Sequence, residues 1–284
     1  MFDMKYYLLN NGNKIPALGF GTYTITDEPT LRKVLLQCAN SNYELIDTAY
    51  VYGNEHIIGK ILKKENLLDT FQIATKIWPA EFGREETKRA VERSLKLLKR
   101  DYIDIMYLHW PGDDMEKSWK VLENYYEQGI FKNIGVSNFY ENHIDKILTT
   151  ANIVPQINQV EIHPMLQKTQ LLKYLKSKNI QPMAWSPLAK ADLELFENKT
   201  IAALANKYKK SVAQIILSWH ISRNTAIIPR TTKEKRVAEN IDIFNFNLST
   251  EDLREIEKLD IGKHTSQSPV DEKWLKSIRY EDFI

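Results

Sequence analysis

The chain has almost no cysteine: one residue, Cys38, in 284. Cys38 has no partner within the chain and lies in an apolar run, which excludes a disulfide framework and favours a buried core thiol in a reducing compartment. Charge of one sign is lacking too. Lys and Arg number 39 against 37 Asp and Glu, a formal net charge of +2, so no broad electrostatic field invites nucleic acid. No stretch approaches the roughly 18 uninterrupted apolar residues of a membrane span. The opening Met1-Phe2-Asp3-Met4-Lys5 carries an early acid and no apolar signal core, so a cytoplasmic chain is expected. The six histidines, at 56, 109, 143, 163, 220 and 264, show no His-Glu-x-x-His spacing. With a single thiol besides, no zinc or iron site is expected. Gly- or Ser-rich linkers are also missing, which favours one domain over residues 1–284.

What is present is alternation. Residues 8–15 place two short apolar segments around Asn11-Gly12, a hairpin signal because both residues tolerate positive φ. Short β-prone runs then alternate with amphipathic helical stretches to about residue 258, the pattern of parallel strands joined by helical crossovers. Eight strands are predicted near 17–21, 44–47, 72–76, 103–108, 132–136, 155–160, 180–185 and 225–229. Between them lie runs such as Glu85 to Arg100, with Ala90, Val91, Leu95 and Leu98 at helical spacing. Eight such units with mostly short loops predict a (β/α)8 barrel with an N-terminal hairpin. An open doubly wound sheet is disfavoured, because Gly19-Phe20-Gly21 continues without the third glycine of a dinucleotide fingerprint. After residue 260 periodicity is lost, and Trp274, Tyr280 and Phe283 are scattered among charges; a tail over the barrel is expected.

In a barrel of this type the chemistry gathers where strands end. Strand two ends in Asp47, strand three in Lys76, strand four in His109, strand five in Ser137-Asn138, strand six in Asn158-Gln159, strand seven in Trp185-Ser186 and strand eight in Arg230-Thr231. Each has a plain reading: Asp47 as a turn cap, His109 as a satisfied core histidine, Tyr52 as a packed aromatic. Lys76, closing the apolar Ile73-Ala74-Thr75, is costly to bury unpaired, and Asp47 on the neighbouring strand supplies a countercharge. Taken together, Asp47, Tyr52, Lys76 and His109 make an acid for carbonyl reduction. Hydride addition leaves an alkoxide that needs a proton and a polar environment. A tyrosine near pKa 10 donates poorly at neutral pH unless a cation lowers that value; Lys76 is the candidate cation, and His109 would orient the carbonyl oxygen. The stretch Ile228 to Asn240 offers a strand end, hydroxyls, Arg230 and Arg236 at a helix start, a place that suits a phosphate. As an isolated stretch it reads first as a basic, solvated helix face.

The segments Leu18-Gly-Phe-Gly-Thr22, Ile46-Asp-Thr-Ala-Tyr-Val-Tyr-Gly-Asn-Glu55, Thr75-Lys-Ile-Trp78, Leu108-His-Trp-Pro111, Gly135-Val-Ser-Asn-Phe139, Asn158-Gln-Val-Glu-Ile-His-Pro164, Ala184-Trp-Ser-Pro-Leu188 and Ile228 to Asn240, in that order and spacing, resemble the aldo-keto reductase superfamily. The resemblance implies a catalytic tetrad at Asp47, Tyr52, Lys76 and His109, with Tyr52 as general acid. It implies NADPH as cofactor, with Ser137, Asn138 and Gln159 on the nicotinamide carboxamide, Trp185 against its ring, and Ser186 and Leu188 along the pyrophosphate. Arg230, Thr231 and Arg236 would hold the 2'-phosphate, and Asn240 would lie at the adenine. Thr22, Asp47, Thr232 and Glu239 would also lie against the cofactor. Tyr23, Trp78, His109 and Trp110 fall where the family's substrate pocket forms. The short loop from Pro111 to about Glu116 is similar to the bacterial branch that includes 2,5-diketogluconate and methylglyoxal reductases, and implies an open site for small aldehydes, α-ketoaldehydes or keto-sugars. Ala189-Lys190-Ala191 stands where the family often has glycine, so the segment closing over the cofactor is expected to move differently. A monomer without nucleic-acid or membrane partners is expected. Two other functions remain at this point: a Schiff-base aldolase using Lys76, and a non-catalytic NADPH-binding regulatory subunit.

Overall fold

The computed structural model describes residues 4–278; Tyr280 and Phe283 lie outside them. Two short antiparallel strands come first, β1 (Tyr6–Leu8) and β2 (Lys14–Pro16). In the turn between them only Gly12 takes a positive φ, +88°, and Asn11 does not. Asn11 and Asn13 instead donate to the Lys132 carbonyl and to Asn133 Oδ1, which seats the hairpin on the barrel.

Eight parallel strands follow: β3 (Phe20–Gly21), β4 (Leu45–Asp47), β5 (Gln72–Ile77), β6 (Ile103–Leu108), β7 (Phe131–Ser137), β8 (Ile157–Glu161), β9 (Gln181–Trp185) and β10 (Ala226–Ile227). Each pairs with its sequence neighbours. The sheet closes because Leu18 bridges to Ile227 in parallel, with the Gly19 N–H donating to the Ile227 carbonyl at 2.8 Å. Gly21 is required at this seam, since a Cβ there would lie 2.9 Å from the Ile228 carbonyl oxygen. All eight predicted strands are present. The first and the last are shorter than predicted, and Gln159 falls two residues inside β8 rather than at its end.

Helices cover the outside. Arg84–Leu98 begins with Glu85 and Glu86 in its first turn, where acids suit the helix dipole, ends at Lys99 in the left-handed region, and buries Ala90, Val91 and Leu98. Apolar faces of this kind and the outward sides of the strands form the larger core, which includes the fully buried, unpaired Cys38. The barrel interior is a second core, where Tyr7 and Ile15 of the hairpin meet Leu45, Ala74, Tyr107 and Met183. It is a filled floor rather than a pore, so the open end is where a ligand can enter. A third cluster covers that end: Trp274, Leu275 and Ile278 of the tail pack with Trp78, Trp110 and Trp185. Among the described residues no helix is long and apolar enough to cross a membrane, and no group of His, Cys, Asp and Glu is arranged to hold a metal.

Candidate active site

Register builds the site. Asp47 is the last residue of β4, and Lys76 lies near the end of the adjacent β5. Both are almost completely buried, and the Lys76 ammonium donates to Asp47 Oδ1 at 2.5 Å and to the Thr48 carbonyl at 2.9 Å. Gln159 Nε2 donates to the other carboxylate oxygen at 2.7 Å. Burial pushes Asp47 up and Lys76 down, and each is opposed by the partner's charge. A pair this well satisfied stays ionised, whereas an orphaned member would cost several kcal/mol.

The Tyr50–Tyr52 turn of 3-10 helix follows β4 and ends at Gly53 with φ +68°. It sets the Tyr52 ring 5.2 Å from the Lys76 nitrogen, measured to the ring centroid. The connection is fixed by Thr48, whose hydroxyl donates to Asn54 Oδ1 at 2.6 Å, and by Asn54 Nδ2, which donates to the carbonyls of Thr22 and Ile25. Burial, with the charge of Asp47 and neighbouring Tyr23, pushes the Tyr52 phenol well above its usual range. This corrects one expectation: in the protein by itself burial and the charge of Asp47 outweigh the pull of Lys76, and the phenol stands above its ordinary value. The group is a fully protonated store at neutral pH.

His109 follows β6 and packs edge-on against Trp78 (5.0 Å between ring centroids) and Tyr52 (5.8 Å). Burial and the charge of Lys76 hold it well below the ordinary imidazole range, so it is neutral. Its Nδ1 is buried with no hydrogen-bond partner among the described residues. The four residues thus lie together at the strand ends of the barrel.

Other predicted residues flank it. Thr22 is buried and donates to the Asp47 carbonyl at 3.0 Å. Asn138, at φ +63°, donates to the His109 carbonyl at 3.0 Å and to Ser137 Oγ at 3.1 Å. It accepts the Trp185 indole N–H at 2.8 Å, which fixes a flat, half-buried ring at the mouth. Ser186 takes φ +46°, and Leu188 packs against the outer core. Arg230 is exposed and donates to the Tyr23 carbonyl at 3.1 Å, and Thr231 Oγ1 accepts the Lys233 N–H at 3.1 Å. Helix Glu234–Ile241 has no side-chain cap on its first turn, which bears Arg236; such an end favours an anion. Thr232 is exposed beside it, while Glu239 and Asn240 lie at the other end of the helix. Tyr23 packs edge-on against Tyr52 with ring centroids 4.9 Å apart, Trp110 meets Trp274 at 4.5 Å, and the Trp78 indole N–H donates to the Ile278 carbonyl at 2.9 Å.

Sequence reasoning missed three contributors. Asn54 and Glu55 stand in a quoted segment without a role, and Glu161, two residues beyond Gln159, holds the tail by accepting from the Thr265 N–H at 2.8 Å and His264 Nδ1 at 3.0 Å. A buried acid ending an apolar strand was the available signal for Glu161.

The sequence profile of the aldo/keto reductase family matches residues 17–261. The chain is 38% identical to glyoxal reductase of Bacillus subtilis strain 168, across 92% of this chain and 95% of that protein. It is 36% identical to methylglyoxal reductase DkgA of Escherichia coli strain K12 over the same shares. Among solved structures it is similar to an aldo-keto reductase from a Medee basin deep-sea metagenome library (34% identity, TM-score 0.90, covering 94% of this chain and 99% of that one). It is also similar to an aldo-keto reductase of the silkworm Bombyx mori solved with NADPH (30% identity, TM-score 0.88, 94% and 91%).

Proposed function

The chain belongs to the aldo/keto reductase family, and on that premise we propose that it reduces small aldehydes, α-ketoaldehydes or keto-sugars to alcohols, with Tyr52 as the proton donor. It is an NADP-dependent oxidoreductase, as its reductase relatives and NADPH-bound neighbours make it. The observation that carries the reading is the buried Asp47–Lys76 pair beneath the Tyr52 ring, with neutral His109 beside it.

The residues present fit the cofactor. Trp185 offers a flat ring held by Asn138, His109 has an unmatched buried nitrogen, and Arg230 and Thr231 precede, and Arg236 lies in, the first turn of an uncapped helix suited to a 2'-phosphate. When bound, NADPH supplies the hydride. A carbonyl oxygen placed between Tyr52 and His109 would accept the phenol hydrogen bond and, as negative charge develops, the proton. Lys76 then stabilises the phenolate left behind, and Asp47 and the Thr48 carbonyl keep that ammonium in place. A pKa raised by burial suits this role, because the phenol gives up its proton only to a strong base such as a forming alkoxide. The same ion pair works against Lys76 as a Schiff-base nucleophile, which must be neutral to attack.

Loss of NADPH absorbance across a panel of glyoxal, methylglyoxal, aromatic aldehydes and keto-sugars tests the reading. Turnover with at least one α-ketoaldehyde is the expected result. Folded protein that binds NADPH and oxidises it with no member of the panel would contradict it.

A further inference from the structure

The hydroxyl of Tyr52 is useful only where it stands, and its position is inherited from the short segment 50–55. That segment is gripped at both ends by one helix outside the barrel. At its start, the guanidinium carbon of Arg93 lies 3.2 Å from the centroid of the Tyr50 ring, a stacked contact. At its end, the carboxylate of Glu55, which is 1% exposed, accepts from Ser94 Oγ at 3.1 Å. Arg93 and Ser94 are consecutive residues of helix Arg84–Leu98. One grip also reaches the loop after the next strand, and the other reaches that strand itself. Arg93 forms an ion pair with Glu81 at 2.5 Å, in the turn just after Trp78, and Glu55 accepts from the hydroxyl of Thr75, the neighbour of Lys76, at 2.5 Å.

We propose that Arg93, together with Glu55, is a positioning device for Tyr52: it fixes the segment that carries the acid relative to the strand and loop that carry Lys76 and Trp78. The proposal rests on Tyr52 being the donor. Two turns of backbone separated by a strand are otherwise free to shift as their loops breathe, and the phenol tolerates little shift, because displacement by about 1 Å costs on the order of a hundredfold in rate. A planar cation that stacks on one loop and pairs with the other removes that freedom from the helix outside the barrel. The partners of Arg93 and Glu55 are Tyr50, Glu81, Ser94 and Thr75, whereas Trp185 is held by Asn138, so the brace is expected to leave cofactor affinity unchanged.

The test compares Arg93→Ala, Arg93→Lys, Tyr50→Leu, Tyr50→Phe and Tyr52→Phe in the full chain, with Arg32→Ala, which breaks an exposed pair with Glu65, as control. Turnover, NADPH dissociation constant from tryptophan fluorescence and the isotope effect with deuterated NADPH are measured together. Arg93→Ala and Tyr50→Leu are expected to lower kcat by about tenfold or more, to leave the NADPH dissociation constant within about twofold, and to change the isotope effect. Tyr50→Phe, which keeps a ring face, recovers most of the rate, and Arg93→Lys recovers less. Should Arg93→Ala fail to fold, Tyr50→Leu carries the same test with the Arg93–Glu81 pair intact. Wild-type kcat in both variants, or a loss matched by equal loss of NADPH affinity, overturns the proposal. Tyr52→Phe separates the two readings: full activity there removes the donor itself, whereas an inactive Tyr52→Phe beside an active Arg93→Ala removes only the brace.

Discussion

Tyr52 and Ala191 sit on loops at the same rim of the barrel, and the two loops are held by different physics. Around Tyr52 the partners are buried: Asp47 accepts from Lys76 and Gln159, Asn54 accepts from the Thr48 hydroxyl, and between Asp47 and Glu55 only Gly53 takes a positive φ. Around Ala191 the backbone is strained and the ties are wet. Ser186, Ala189, Lys190 and Ala191 all have φ between 46° and 60°. The loop is fastened by Lys190 to the Thr265 carbonyl at 2.7 Å and by Lys263 to Asp192 at 2.9 Å and Glu194 at 2.8 Å. A group that must hold a proton at one point needs buried, mutually satisfied partners. A segment beside a ligand that enters and leaves tolerates strain and exposed ties that open at little cost.

The strongest way to break the comparison is Lys76→Met. It leaves Asp47 buried without its cation, so a destabilisation of about 3–5 kcal/mol is expected, with kcat down by on the order of a thousandfold; denaturant melts and NADPH turnover check both, and a mild effect would mean that the buried side is no tighter than the strained one. Next comes pH. Burial holds His109 well below its ordinary value, His143 at about 4 and His220 at about 3. Unfolded imidazoles take up protons below about pH 6.5, so the unfolded state binds more protons there and stability falls as pH drops through 6.5 toward about 4. A loss of a few kcal/mol in urea melts between about pH 7 and pH 4.5 is expected; a flat profile would show these imidazoles to be solvated. Ala191→Gly is smaller. It relieves one left-handed residue and should raise stability by up to about 1 kcal/mol, measurable as a higher melting temperature, while a lower one would show that the strain is only apparent. Smallest is Lys263→Ala, which should leave melting unmoved but speed NADPH release by about two- to threefold, a difference that high salt abolishes; stopped-flow fluorescence reads it.

The sequence showed one of these regions far better than the other. A lysine, an aspartate and a histidine at the ends of apolar runs are visible because such strands have no other reason to end in charge, and parallel register brings Asp47 and Lys76 together without further information. The raised phenol of Tyr52 was not visible, since it depends first on a burial, and then on a nearness to Asp47, that only folding sets. Arg93 was hidden for a similar reason: it reads as one charge on an amphipathic helix, and only helix packing shows that it faces Tyr50. The departure at Ala189-Lys190-Ala191 was legible as missing glycine, but its consequence, three successive residues in the left-handed region tied to residues 263–265, needed coordinates.

The central claim is that the Tyr52 hydroxyl, above the Asp47–Lys76 pair, delivers the proton. Single-turnover oxidation of bound NADPH by methylglyoxal in Tyr52→Phe tests it most directly, with NADPH affinity measured on the same sample. The account predicts hydride transfer slowed by about 100-fold or more at unchanged NADPH affinity. Transfer at the wild-type rate would contradict it.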